Sequence, residues 1–211
     1  MMIAKDNQQT RKLARSLIAR GGVVAFLTDT LYGLGADPFN PSALRRINSL
    51  KGRDGGKPIL VVISDPGEAD RFMLKRSELF AHVSGKHWPG ALTLVVRARA
   101  LLPEEITAGS GTVGLRLPDN SSVRDFIRAC GGALTATSAN AAGDEPARTA
   151  EDVARYFPDQ LDLIVDGGAA RAPKPSTVLD VSSEASARLI REGAVSRDQL
   201  RQTLRSFGVD F

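Results

Sequence analysis

The chain is 211 residues long and 42% hydrophobic, enough for one sizeable core, and no Pro/Gly/Ser-rich linker or fixed-period repeat divides it. Its single cysteine, Cys130, excludes an intramolecular disulfide or a site built on several thiolates, and its two histidines, His82 and His87, exclude a three-histidine zinc centre. The formal charge of +4 is unevenly placed: residues 1–57 hold ten Lys and Arg against four Asp and Glu, as expected of a region that meets phosphate or of a solvated basic face.

The polar start MMIAKDNQQT lacks the apolar core of a signal peptide. Apolar runs such as 23–27 and 59–63 are far too short to cross a bilayer, so a cytoplasmic protein with no membrane contact is expected. Residues 10–20 read as a helix, with Leu13, Leu17 and Ile18 inward and Arg11, Lys12 and Arg15 outward, stopped by Gly21-Gly22. Residues 23–27 make a buried strand, and 28–35 a polar, glycine-containing turn. Ser42 can cap a helix running to about residue 50. The stretch KGRDGGKP, 51–58, is a loop, because two glycines and a proline forbid regular structure.

Residues 59–63 form a strand continuous in apolar side chains, the pattern of a sheet covered on both faces. A helical region spans 66–87 with a break near Leu74. Strands follow at 92–96 and 112–117, a helix at 121–130, and a strand at 133–137 that runs into Ser138-Ala139-Asn140. The series ends with a helix at 149–156, strands at 163–165, 177–181 and 188–190, and a helix at 196–207. Strands alternating with helices predict an α/β fold: one three-layer domain over residues 1–211 around a twisted, mostly mixed open sheet.

Phosphate-loop, GxGxxG and GxSxG patterns are absent. Cys130 reads as a packed hydrophobe and the His87-Trp88-Pro89-Gly90 run as a helix end, so covalent catalysis by the protein finds little support. Polar and cationic residues gather instead after buried strands, where open α/β sheets bind ligands. Thr28-Asp29-Thr30 offers hydroxyls, with glycines that let backbone approach closely, or forms a simple Ser/Thr turn. Lys51, Arg53 and Lys57 suit a triphosphate or form a solvated loop. Ser138 and Asn140, spaced i, i+2, share one face if the strand persists; otherwise Asn140 begins a turn toward Gly143. Thr112 and Arg116 bracket TVGLR, Arg116 being suited to gripping a carboxylate bidentately, while Ser176 opens a strand and Arg191 ends one.

Together these segments resemble the YrdC-like threonylcarbamoyl-AMP synthases over nearly the whole chain. TDTLYGLG is similar to that family's PT(D/E)TVYGLG; KGRDGGKP, TVGLRLP, SAN, STVLD and LIREG are similar to its remaining elements, in the same order and spacing. The resemblance implies a short, single-domain nucleotidyltransferase. It would convert L-threonine, bicarbonate and ATP into L-threonylcarbamoyladenylate and pyrophosphate, for modification of tRNA next to the anticodon by a partner transferase complex. By position it implies Lys51, Arg53, Ser138 and Asn140 as the catalytic tetrad. Thr30, Arg116, Ala136 and Ser176 would hold threonine, and Arg53, Lys57, Thr112, Ser138 and Arg191 would hold ATP. It implies no protein-built metal site, Mg²⁺ accompanying ATP, a 51–57 lid, and tRNA contact through the basic N-terminal region. Leu27 and Leu31 depart harmlessly from the family pattern; Val62 stands where a histidine is common and Pro146 where a serine is common. Two other readings fit parts of the sequence: a non-catalytic RNA-binding module, and a paralogue that makes carbamoyl-AMP.

Overall fold

The computed structural model describes residues 2–52, 57–141, 143–170 and 174–209. In chain order its elements are β1 (Ile3–Lys5), α1 (Gln8–Ala19), β2 (Val24–Leu27), β3 (Tyr32–Gly35), α2 (Pro41–Leu50), β4 (Val61–Ile63), a 3-10 helix (Pro66–Arg71), α3 (Glu78–His87), β5 (Leu92–Arg97), α4 (Glu104–Thr107), β6 (Thr112–Arg116), α5 (Ser121–Ala129), β7 (Ala133–Thr135), β8 (Thr137–Ser138), α6 (Ala150–Tyr156), β9 (Leu163–Asp166), β10 (Thr177–Asp180), β11 (Arg188–Arg191) and α7 (Arg197–Arg205).

Local chemistry explains most of these boundaries. Asn7 caps α1 through its side chain to the Thr10 N–H, and Thr149 and Ser196 open α6 and α7 with reciprocal capping boxes. The cap of α2 is Asn40 rather than the expected Ser42: Asn40 accepts from the Ala43 N–H, and Pro41 occupies the first turn, where its missing N–H costs nothing. Half of the expected 28–35 turn is strand, because β3 pairs antiparallel with β2 from Leu27↔Tyr32 to Val24↔Gly35.

The strands form two mixed, open sheets of a single α/β domain, ordered β1-β9-β2-β3-β8 and β11-β10-β5-β6-β4-β7. A mixed α/β architecture is what the sequence predicts; the division into two sheets is what the structure adds. The division happens at Ala136. β7 pairs with β4 in the six-stranded sheet, β8 pairs with β3 in the five-stranded one, and the Ala136 N–H between them donates to the Leu60 carbonyl at 2.9 Å. A strand that bends from one sheet into another makes a corner, and a concave space opens beside it.

Alternation along β4 shows how the layers are covered. Val61 and Ile63 point into the main core with Leu34, Leu44, Phe80 and Leu94, whereas Val62 points into a second cluster with Ile18, Val123, Phe126 and Leu134. Helices α1 and α5 thus close one face near the corner, and the rest of that face, over β6, β5 and β10, is left for the site.

Candidate active site

Strand periodicity builds the floor of the site. Thr112, Gly114 and Arg116 are i, i+2, i+4 on β6, so all three lie on one face. Register then lines up their neighbours: Gly114 pairs with Val95, Val95 with Asp180, and Asp180 with Arg188. Gly114 keeps this floor low, since a Cβ there would stand 3.3 Å from Thr93 Cγ2. The walls come from the other sheet and the loops: Thr28 and Thr30, the corner from Ala136 to Ser138, Lys57, Pro146 and Ser176. Together they enclose a cavity of about 550 Å³.

Of the residues expected to hold threonine or ATP, Thr30, Arg116, Ala136, Ser176, Lys57, Thr112, Ser138 and Arg191 all line this one cavity. Arg53 lies outside the described residues, as does most of the expected 51–57 lid. Thr30, Lys57 and Ser176 sit on loops, as the sequence suggested, but the groups do not follow one rim. Thr112 and Arg116 occupy opposite ends of β6, so the site extends across the face of a sheet.

Arg116 is 3% exposed, and its guanidinium is partly committed. Nη2 forms an ion pair with Asp29 Oδ1 at 3.0 Å, and Nη1 donates to Thr30 Oγ1 at 3.2 Å. Nε is buried without a hydrogen-bond partner, a state that costs free energy unless a ligand supplies the acceptor. The Asp29 contact is close but not aligned as a hydrogen bond, and Oδ1 accepts none. Burial pushes the Arg116 pKa down, Asp29 opposes that shift, and the nearby Arg191 guanidinium adds to it. Arg191, also lowered by burial, donates to the Ser176 carbonyl at 2.9 Å rather than to a carboxylate. Two mutually repelling guanidiniums sharing one cavity favour an anion between them.

The hydroxyls are held in place. Thr28 and Thr30 share a hydrogen bond at 3.1 Å, and Thr28 Oγ1 donates to the Leu31 carbonyl at 2.7 Å. Ser176 Oγ meets Thr93 Oγ1 at 3.1 Å. Thus the Ser/Thr turn and the ligand wall, read from sequence as alternatives, are one structure.

Lys51 and Asn140 lie behind the cavity wall. Lys51 stands at the C-cap of α2 and is 1% exposed, not on a mobile loop. Its ammonium donates to the carbonyls of Ser138 and Asn140 and to Asn140 Oδ1. The chain turns just after β8, with the Asn140 N–H donating to the Ser138 carbonyl at 3.0 Å. Lys51 also donates to Ser138 Oγ at 3.3 Å, so one ammonium reaches both side chains; Ser138 lines the cavity, and beyond it the chain turns toward Gly143. Asn140 Nδ2 fastens that turn through the carbonyls of Ala141 and Asp144.

Val62 sits opposite Arg116 in register but is fully buried in the second cluster and does not line the cavity. Pro146 does line it, with a side chain that carries no hydrogen-bonding group. Asp29, absent from the expected set, is the residue sequence reasoning missed. Its signal was an acidic residue between two threonines, in a segment read for its hydroxyls.

Of the basic surplus at the N-terminus, Lys5, Arg11, Arg45 and Arg46 pair with Asp166, Asp6, Glu105 and Asp162, while Lys12, Arg15 and Arg20 are exposed on or just after α1. Among the described residues, no helix is long and apolar enough to cross a membrane.

The fold and the site define a class, an α/β protein with a cavity lined by several cations between two sheets at the corner where a strand changes sheets. Residues 16–193 match the family model for Sua5, YciO and YrdC, described as telomere recombination, and the chain belongs to that family. It is 36% identical to a threonylcarbamoyl-AMP synthase of Thiobacillus denitrificans over 183 residues, 87% of this chain and 97% of that protein. Against the threonylcarbamoyl-AMP synthase of Bacillus subtilis it is 35% identical over 93% of its own length but spans only 57% of that protein. Among solved structures it is similar to P. abyssi Sua5 complexed with L-threonine, with a TM-score of 0.90 at 29% identity, covering 96% of this chain and 60% of that one.

Proposed function

We propose that this protein is a threonylcarbamoyl-AMP synthase, condensing L-threonine, bicarbonate and ATP to L-threonylcarbamoyladenylate and pyrophosphate for tRNA modification beside the anticodon. One observation carries the reading. Thr30, Arg116, Ala136 and Ser176 face the same cavity as Lys57, Thr112, Ser138 and Arg191, and a buried guanidinium with an unpaired Nε lies among them.

The chemistry asks little covalent work of the protein. The threonine amine adds to carbon dioxide from bicarbonate and loses a proton, giving a carbamate. A carbamate oxygen attacks the α-phosphate of ATP, the P–O bond to the β-phosphate breaks, and pyrophosphate leaves with that electron pair. Arg116, with its unmet donor, holds the threonine carboxylate. Ser176 and Thr30 fix the amino acid, and Arg191 and Lys57 neutralise phosphate charge. Ser138 is presented by the turn that Lys51 and Asn140 hold. Arg53 belongs with the phosphate-binding cations by its position in KGRDGGKP.

Mg²⁺ would enter with the triphosphate, supplying charge neutralisation there. The residues present fit that role better than a protein-built site. Among the described residues no group of three His, Cys, Asp or Glu side chains can hold a metal, and Asp180 in the cavity is paired with Arg188. Handover to a transferase complex, and tRNA contact through Lys12, Arg15 and Arg20, complete the proposal, as does residence in the cytoplasm.

Pyrophosphate release measured with threonine, glycine or no amino acid, each with and without bicarbonate, tests the reading. Release that needs both threonine and bicarbonate is expected. Release indifferent to threonine points to carbamoyl-AMP chemistry, and none under any condition points to an RNA-binding module.

A further inference from the structure

We propose that Asp29 is the positioning residue for threonine recognition: it acts through Arg116, fixing the guanidinium whose remaining donors grip the substrate carboxylate. The inference rests on the synthase reading above and adds to it a residue outside the cavity lining.

The geometry is specific. Asp29 and Arg116 have side chains 6% and 3% exposed and approach to 3.0 Å. Asp29 does not line the cavity, whereas Arg116 does, so the order from the cavity inward is guanidinium and then carboxylate. Asp29 is itself anchored, its Oδ2 lying 3.4 Å from the Asp119 N–H. Thr30 takes Nη1, Asp29 takes Nη2, and Nε is left unpaired. One loop, residues 29–30, thereby holds two of the three nitrogens, Nη1 by a hydrogen bond and Nη2 by an ion pair, which biases the orientation of the fork.

Two physical effects follow from this arrangement. A planar fork binds a carboxylate well only when its orientation is set, and a partner behind it sets that orientation. Burial and the neighbouring Arg191 both disfavour the Arg116 charge, and Asp29 is the group that opposes them. The carboxylate thus favours the charged guanidinium at the cavity wall.

The test compares steady-state kinetics of the wild type, Asp29→Asn and Asp29→Glu, varying threonine and ATP separately, with thermal melts alongside. Asp29→Asn keeps the shape and removes the charge. It is expected to raise the threonine KM by about 10- to 100-fold, with ATP KM within about twofold and kcat at saturating threonine within about threefold. Asp29→Glu keeps the charge but shifts it by one methylene, and a smaller rise in threonine KM, about three- to tenfold, is expected. An unchanged threonine KM in Asp29→Asn, or a parallel rise in the KM of both substrates, overturns the positioning role. Should Asp29→Asn fail to fold, Asp29→Glu decides alone, and a wild-type threonine KM there overturns it. A wild type that shows no threonine-dependent turnover overturns the synthase reading and this inference together, an outcome distinct from an active wild type with an indifferent variant.

Discussion

Lys51 and Asn140, 89 residues apart in the chain, meet at 3.1 Å between ammonium and side-chain carbonyl. The same ammonium reaches the backbone carbonyls of Ser138 and Asn140, so a buried cation holds the turn on which Ser138 is mounted. Its charge serves the protein's own acceptors. The KxR lysine is thus buried as a support of that turn, where its place in a cationic loop suggested a phosphate ligand.

Lys51→Met should therefore lose stability as well as turnover. Leaving buried carbonyls unpaired costs about 1–3 kcal/mol each, so a fall of roughly 2 kcal/mol or more in unfolding free energy is expected. Urea denaturation measures it. A variant as stable as wild type but inactive would restore Lys51 to direct contact with substrate.

Arg116→Lys keeps the charge and loses the fork. A charged hydrogen bond is worth about 1.5–3 kcal/mol, so the threonine KM should rise roughly 10- to 150-fold. Initial rates at varied threonine check this, with ATP KM as the internal control.

Gly114→Val tests the cavity floor. The backbone there is ordinary strand, which valine favours, so the fold should hold while the side chain fills the cavity over Thr93 and Val95. A loss of about 1–3 kcal/mol in ligand binding is expected, read by calorimetric titration with ATP and with threonine.

His87 gives a pH signature. Burial, with His82 nearby, holds it below its ordinary value, and its Nε2 pairs with Thr203 of α7 at 2.8 Å. The unfolded chain takes up its proton at about pH 6.5, while the folded protein resists it, so stability falls as pH drops through that value. The lowered carboxylates, Asp152 and Asp166, titrate well below this window. Urea midpoints at pH 7.5 and 5.5 should differ in wild type and converge in His87→Gln.

Cys130 should be inert. Burial pushes its thiol up to about 12, and it packs in the second core cluster. Thiolate chemistry at pH 8 then sees roughly one molecule in 10⁴, so alkylation should be slow in the native protein and fast in urea.

The elements that could be read from sequence were those whose signals are local. The Leu92–Arg97 strand announces itself by an apolar run, and Thr112–Arg116 by Val113 and Leu115 alternating with Thr112, Gly114 and Arg116. Tyr32–Gly35 did not, because two glycines in four residues look like a turn until β2 and β8 pair with them. The site divides along the same line. The residue types and order that suit a carboxylate and a triphosphate belong to the chain itself. Which of them line the cavity was decided by tertiary structure: the sheet change at Ala136 brought Ser138 to the cavity and left Asn140 beyond it, and Lys51 and Asp29 are buried against partners distant in sequence. Spacing along a strand fixes a face only while the strand runs straight, and a buried charge takes its role from partners that local sequence does not name.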